Sequence, residues 1–449
     1  MTKKEKISKI ANVIYTIIII IIMFNLYRLY KKLNFNEYTK AESSIGITKF
    51  TRDDKIKYDK TYSYKIESPE FNDAIFYKKI KVQKNTPYKL SCMVKTKDVI
   101  NENGKSGSGA QISIINSTEC SESIIGTTEW QKLEFIFDSK NREELEIGFR
   151  LGGNGANSKG IAWFTDFKLE EGIKDKTTNW NIACFILENV DVMINNENIK
   201  LSMRLHDIET IKDNMERFKD SVSELSNNKM TVTYDVYEII EPVKNITYSD
   251  EFAYYLEPYD CYDLIKDYLQ KKEYDYIFVA VRLGDTYENL EIQVNDWIGL
   301  GGMDINGIGY SNIRLPNDSN SYIYTYNRYI NTFPEEVFIH EFLHTLERIL
   351  KERDFDIPAL HDYQKYDYAD EKLIGQKKWY KDYMSCNIDY DGKKIGLDES
   401  VYQCTPPAES DFKYSVEKDF FSEPQNIVEE VIGLLKNFKN IKNIFVKKN

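Results

Sequence analysis

The stretch from Asn331 to Asp354, NTFPEEVFIHEFLHTLERILKERD, constrains this chain more than any other. Thr332 or Asn331 offers an N-cap, and Pro334 suits a first turn. Glu335 and Glu336 complement the positive end of a helix dipole, while Lys351 and Arg353 stand at the other end. These signals predict a single amphipathic helix. Phe338, Phe342, Leu346 and Ile349 recur at core-facing intervals, whereas His340 and His344, four apart, project together from another face.

Two imidazoles one helical turn apart can share one Zn2+, and Glu341, displaced by one residue, can lie beside the water that such an ion activates. With 4 histidines in 449 residues, the HExxH spacing arises by chance about 0.003 times in a chain of this composition. A catalytic zinc takes three protein ligands and keeps one position open. His361 is the leading candidate for the third, beyond a helix end marked by Asp356-Ile357-Pro358; Asp370 or Glu371 is the alternative. Glu347 shares the face of the two histidines, but three ligands from one straight helix would surround an ion poorly. His206, just before a helix start at Asp207, reads as a solvated imidazole.

With these residues the chain resembles the zincin metallopeptidases, named for this HExxH helix, over Asn179 to Tyr402. The resemblance implies an α+β domain, zinc on His340, His344 and His361, Glu341 as general base, and a protein or peptide substrate. It also implies a methionine turn in Trp379-Tyr380-Lys381-Asp382-Tyr383-Met384, with Tyr383 as an oxyanion donor, and a cleft-edge strand at Gly309 to Ile313 that pairs with extended peptide. The metzincin pattern needs a glycine where Glu347 stands and a histidine where Leu350 stands, so the family within the clan stays open.

The length of 449 residues allows two or three domains, and a net charge of −12 without basic stretches interleaved with aromatics disfavours a nucleic-acid partner. Ile10 to Tyr27 carries no charged side chain. At about 1.5 Å per residue it makes roughly 27 Å of helix, near the roughly 30 Å of a bilayer's apolar core. No small-residue cleavage pattern follows it, so an uncleaved anchor is expected, with the chain after residue 32 outside the cell. Six cysteines (92, 120, 184, 261, 386 and 404) form no CxxC pair. A Cys386–Cys404 bridge and buried free thiols are both open.

From 34 to 172 the texture is β: IFYKKIKV, YKLSCMVK, GAQISIIN, WQKLEFIFD, EELEIGFRL and IAWFTDFKLEE alternate with period two between polar turns. An antiparallel sandwich follows. Through Tyr88-Lys89-Leu90, Thr128-Glu129-Trp130-Gln131 and Ala162-Trp163-Phe164-Thr165-Asp166-Phe167 this region resembles the jelly-roll carbohydrate-binding modules. That resemblance implies a glycan or glycoprotein partner. Trp130 and Trp163 are expected in the core, and Tyr77 and Arg150 on strand faces that could line a ligand groove.

After a polar junction at 173–178, strands and helices alternate: strand texture at 182–193, a helix over 207–225 with Ile208, Ile211, Met215, Phe218 and Val222 on one stripe, a strand at 230–239, a helix near 261–272 and an apolar run at 274–281. Gln425 to Phe438, with Ile427, Val428, Val431, Leu434, Leu435 and Phe438 at helical spacing, predicts a terminal helix. The expected whole is a cytoplasmic stub and anchor (1–33), a carbohydrate-binding-module-like sandwich (34–172) and a zincin-like metallopeptidase domain (173–449). A glycan-binding adhesin with an idle zincin domain, or a zinc amidase acting on cell-wall or glycan amides, are the alternatives.

Overall fold

A computed structural model describes residues 38–102, 107–153, 156–295, 297–305, 307–315, 333–368, 374–418 and 420. The apolar segment 10–27, the caps Asn331 and Thr332, the acids Asp370 and Glu371, and the helix at 425–438 lie outside them. Among the described residues no helix is long and apolar enough to cross a membrane.

The first unit is a two-sheet antiparallel sandwich. Its strands are β1 (Thr39–Glu42), β2 (Lys49–Tyr58), β3 (Thr61–Asn72), β4 (Ala74–Lys81), β5 (Pro87–Asn101), β6 (Gly109–Ile114), β7 (Gly126–Asp138), β8 (Glu144–Gly152) and β9 (Ser158–Glu171). One sheet runs β1-β4-β8-β6 and the other β2-β3-β9-β5-β7. From β3 to β9 each strand crosses to the opposite sheet, which is jelly-roll connectivity. Leu90, Cys92, Val94, Phe135, Ile147, Phe149 and Phe164 meet between the sheets, each from an alternating position.

The two tryptophans do not join that core. Trp163 lies between Ala162 and Phe164, which both face inward, so its ring turns to the outer face, where Nε1 donates to Asp53 Oδ2 at 3.0 Å. Trp130, half-buried, meets Tyr58 at 5.8 Å between ring centroids. Period-two alternation marks a strand but does not say which face is the inside.

The second unit is a mixed sheet between helices. Its strands β10 (Asn179–Leu187), β11 (Thr231–Ile239), β12 (Tyr276–Arg282), β13 (Gly299–Ile305) and β14 (Ile308–Leu315) run in the order β11-β10-β12-β14-β13. All pairs are parallel except β14 with β13. β12 is buried along its whole length, as a strand covered on both faces must be. Ile182, Cys184 and Ile186 face helices α1 (Leu205–Leu225), α3 (Glu336–Glu352) and α4 (Ile374–Met384); Ala183, Phe185 and Leu187 face α2 (Pro258–Leu269). The expected apolar stripe of α1 is buried. Phe342 of α3 sits edge-on to Trp180, Phe218 and Tyr276 at 5.5, 5.6 and 5.0 Å. That contact fixes which face of α3 turns away from the core.

The strand at 309–313, expected at the cleft edge, is interior, because β14 is held by β12 on one side and β13 on the other. Among the described residues the edge position falls to β13. The Trp379–Met384 run is no turn but the end of helix α4. All six cysteines are free thiols, so Cys386 and Cys404 form no bridge.

The two units interlock. β15 (Val416–Lys418) leaves the second unit to pair antiparallel with β9, and Phe420 enters the sandwich core beside Phe149 and Phe167, each at 6.2 Å. The β7–β8 turn meets the end of α3. There Asn141 N donates to Glu352 O (3.3 Å), Lys140 pairs with Glu352 (2.6 Å), and Arg353 pairs with Asp138 (3.1 Å), the last two side chains 8% and 5% exposed. Phe420 thus joins a sandwich core whose other buried members lie between residues 38 and 169.

Candidate metal centre

α3 begins without a side-chain cap of its own, and Glu335 at the cap position accepts instead from Ser221 Oγ of α1 at 2.5 Å. The helix ends with Asp354 N bonded to Lys351 O and Phe355 N to Leu350 O. Asp354 at φ +68° completes a Schellman motif in the position usually held by glycine. That reversal turns the chain back toward the histidine face. α4 then holds the returning loop: Tyr383 Oη donates to Pro358 O (3.1 Å) and Trp379 Nε1 to Leu360 O (2.9 Å).

His361 follows at once and meets the helix pair. Its Nε2 lies 3.1 Å from His340 Nε2, which is also 3.1 Å from His344 Nε2. One nitrogen from each of the three lies within 4.8 Å of the others. Two nitrogens bound at about 2.0–2.1 Å to one tetrahedral ion must stand roughly 3.3 Å apart, so this spacing fits a shared ion. The donor chemistry fits as well. Burial, and then the neighbouring His344 and His361, push His340 down to about 3, and burial with His344 lowers His361, so these rings are neutral and their lone pairs available.

The outward nitrogens of the two helix histidines are engaged. His340 Nδ1 lies 2.7 Å from Tyr380 Oη of α4, and His344 Nδ1 lies 3.5 Å from Glu347 Oε2. Burial alone would raise Glu347, but its bonds to His344 and Lys351 outweigh that and hold it near about 2. Glu347 thus sits on the outward nitrogen of His344 and pairs with Lys351.

Glu341, 5% exposed, turns from the histidines' row toward β13. The register of β13 on β14 slips between Leu300 and Met303, with Gly302 at φ +80°. The irregularity points two amides at α3: Gly301 N donates to the Glu341 carboxylate, and Gly302 N to Thr345 Oγ1 at 3.1 Å. Side chains at Gly299 or Gly301 would collide with Glu341, so glycine alone permits this approach. Burial, with the charge of Glu336 adding to it, pushes Glu341 up to about 8.

Of the sequence candidates, His340, His344 and His361 converge, while the Glu341 carboxylate points to Gly299 and Gly301 of β13. Tyr383 does not join the histidines. Its hydroxyl is fully buried on the Pro358 carbonyl, behind the loop that carries His361. His206 is exposed near the start of α1, outside the trio. Arg150 is committed to Asp73, and Tyr77 is half-buried in β4. Tyr380 and the β13 glycines are not legible as site residues in sequence, since neither an isolated tyrosine nor a glycine pair carries a spacing signal.

No protein-family model matches the chain, and no curated protein matches it. Solved structures match part of it. The chain is similar to the enzymatically active domain of tailspike protein 4 of bacteriophage CBA120, at 12% identity and a TM-score of 0.23, over 30% of this chain and only 19% of that one. It is also similar to a CBM4 module (15% identity, TM-score 0.20, 30% of this chain and 86% of that one). A third neighbour is TmCBM61, solved with β-1,4-galactotriose (14% identity, TM-score 0.22, 31% of this chain and 92% of that one). Carbohydrate-binding modules thus stand among its structural neighbours.

Proposed function

We propose that the chain is a zinc metallopeptidase of zincin type, anchored in the membrane by residues 10–27 with its folded units outside the cell. The observation that carries this reading is the convergence of three imidazole Nε2 atoms, two of them from the helix that also carries the buried Glu341. His340, His344 and His361 would hold the metal, which when bound supplies Lewis acidity to a scissile carbonyl and acidifies a water. Glu341 takes the proton of the attacking water on a carboxylate oxygen and returns it to the leaving amine nitrogen as the C–N bond breaks. A neighbouring dication favours its ionised form, offsetting the effect of burial. β13, at the sheet edge beside these residues, offers its backbone to an extended peptide by strand addition.

Wild-type protein should carry about one zinc per chain and cleave members of a peptide library. Glu341→Gln keeps size and ligands but cannot accept the proton, so it should fold, hold zinc and lose at least about 100-fold in turnover. Equal rates in the two proteins would end this mechanism. Zinc without cleavage of any peptide would favour a non-peptide amide as substrate, or an idle domain.

A second reading concerns the sandwich, as a glycan-binding module. It is supported by the Tyr58–Trp130 pair on the outer sheet face, an aromatic platform of the kind that stacks on sugar rings. The same face is partly occupied: Lys89 pairs with Glu409 at 2.6 Å and lies over the Phe412 ring. A glycan would therefore have to use the end near Trp130. Trp130→Ala should abolish retention of the ectodomain on glycan arrays, and silence of the wild type on arrays and cell walls alike would remove this reading.

A further inference from the structure

We propose that Tyr380, oriented by Glu336, sets the tautomer of His340 and through it the metal affinity of the histidine trio. This rests on the metal reading above. The hydrogen-bond accounting carries it. A tyrosine hydroxyl has one hydrogen, and that of Tyr380 goes to Glu336 Oε1 at 2.7 Å. Toward His340 Nδ1, 2.7 Å away, the same oxygen is then an acceptor, and Nδ1 must carry the ring's hydrogen. Nε2 keeps its lone pair, and it is this nitrogen that stands 3.1 Å from both other histidines.

The relay spans two elements. Glu336 is in the first turn of α3, one helical turn before His340, and Tyr380 comes from the middle of α4. The tyrosine is 1% exposed, so water does not compete for its oxygen, and a metal-binding imidazole carries its one hydrogen on one of its two nitrogens. The hydrogen bond made by the outer nitrogen decides which. Outer partners of this kind typically set metal affinity over about 10- to 100-fold. Tyr380 is thus a positioning residue and takes no part in the bond-breaking step.

Two measurements test this. In the zinc-free protein, 15N-histidine NMR should show His340 in the Nδ1–H form, and Tyr380→Phe, which keeps the ring and loses the oxygen, should shift it toward Nε2–H. In competition titrations Tyr380→Phe should bind zinc about 10- to 100-fold more weakly, with turnover restored at saturating zinc. Glu336→Gln, which can present an N–H to the tyrosine oxygen and reverse the relay, should weaken zinc in the same direction and serves if the phenylalanine variant does not fold. Wild-type His340 in the Nε2–H form, or zinc affinity unchanged in both variants, overturns the proposal. A wild type with the Nδ1–H form that binds no zinc instead sinks the metal reading, and the affinity claim with it.

Discussion

His361 is the least protected member of the trio, exposed and carried by a loop, yet its position depends on buried contacts behind it. His361→Ala removes one of three ligands and should drop zinc content well below one per chain while leaving the fold intact; full zinc retention would move the third ligand elsewhere. A different residue governs pH dependence of stability. Asp275 accepts from Asn181 N at 2.7 Å, and burial pushes its carboxyl up to about 6. The unfolded value is about 3.9, so the folded state holds the proton between the two. Stability from this group is complete below about pH 4 and lost as pH rises through about 6. Asp275→Asn keeps an acceptor oxygen without the charge. It should raise the melting temperature at pH 7 and change it little at pH 4, and an equal shift at both would show that the carboxyl does not titrate there.

Helix α4 supports the site from behind by three side chains: Trp379 and Tyr383 on the loop carbonyls and Tyr380 on His340. Tyr383→Phe should therefore leave the Pro358 carbonyl short of a partner and cost about 1–2 kcal/mol of stability, with turnover at saturating zinc within a few fold of wild type. A loss near 100-fold in kcat at unchanged stability would instead restore an oxyanion role. The α3 histidines were legible in sequence because their spacing is local and histidine is scarce. Tyr380 was not, being one of 33 tyrosines whose place is set by how α4 packs. The β13 and β14 segments looked alike because both are glycine-containing runs, and only the parallel pairing of β14 with β12 decides which lies at the edge. β2, with KFTRDDKIKY, carries no strand signal in sequence, since a charged edge strand lacks the alternation of a core strand.

At the scale of the whole molecule, the sandwich borrows β15 and Phe420 from the far end of the described chain, and its β7–β8 turn closes the C-terminus of α3. Phe420→Ala should cost about 3 kcal/mol in urea unfolding. The isolated segment 34–172 should unfold at lower denaturant than the sandwich does within the whole protein; an equal midpoint would mean that the borrowed strand adds nothing. β9 ends at Glu171 and its partner strand begins at Val416. At roughly 5–20 residues per second of synthesis, the ribosome makes the completing strand tens of seconds after the strand that it completes. For that interval the rings of Phe149 and Phe167 await Phe420, and the sandwich core stays open on the side that it closes.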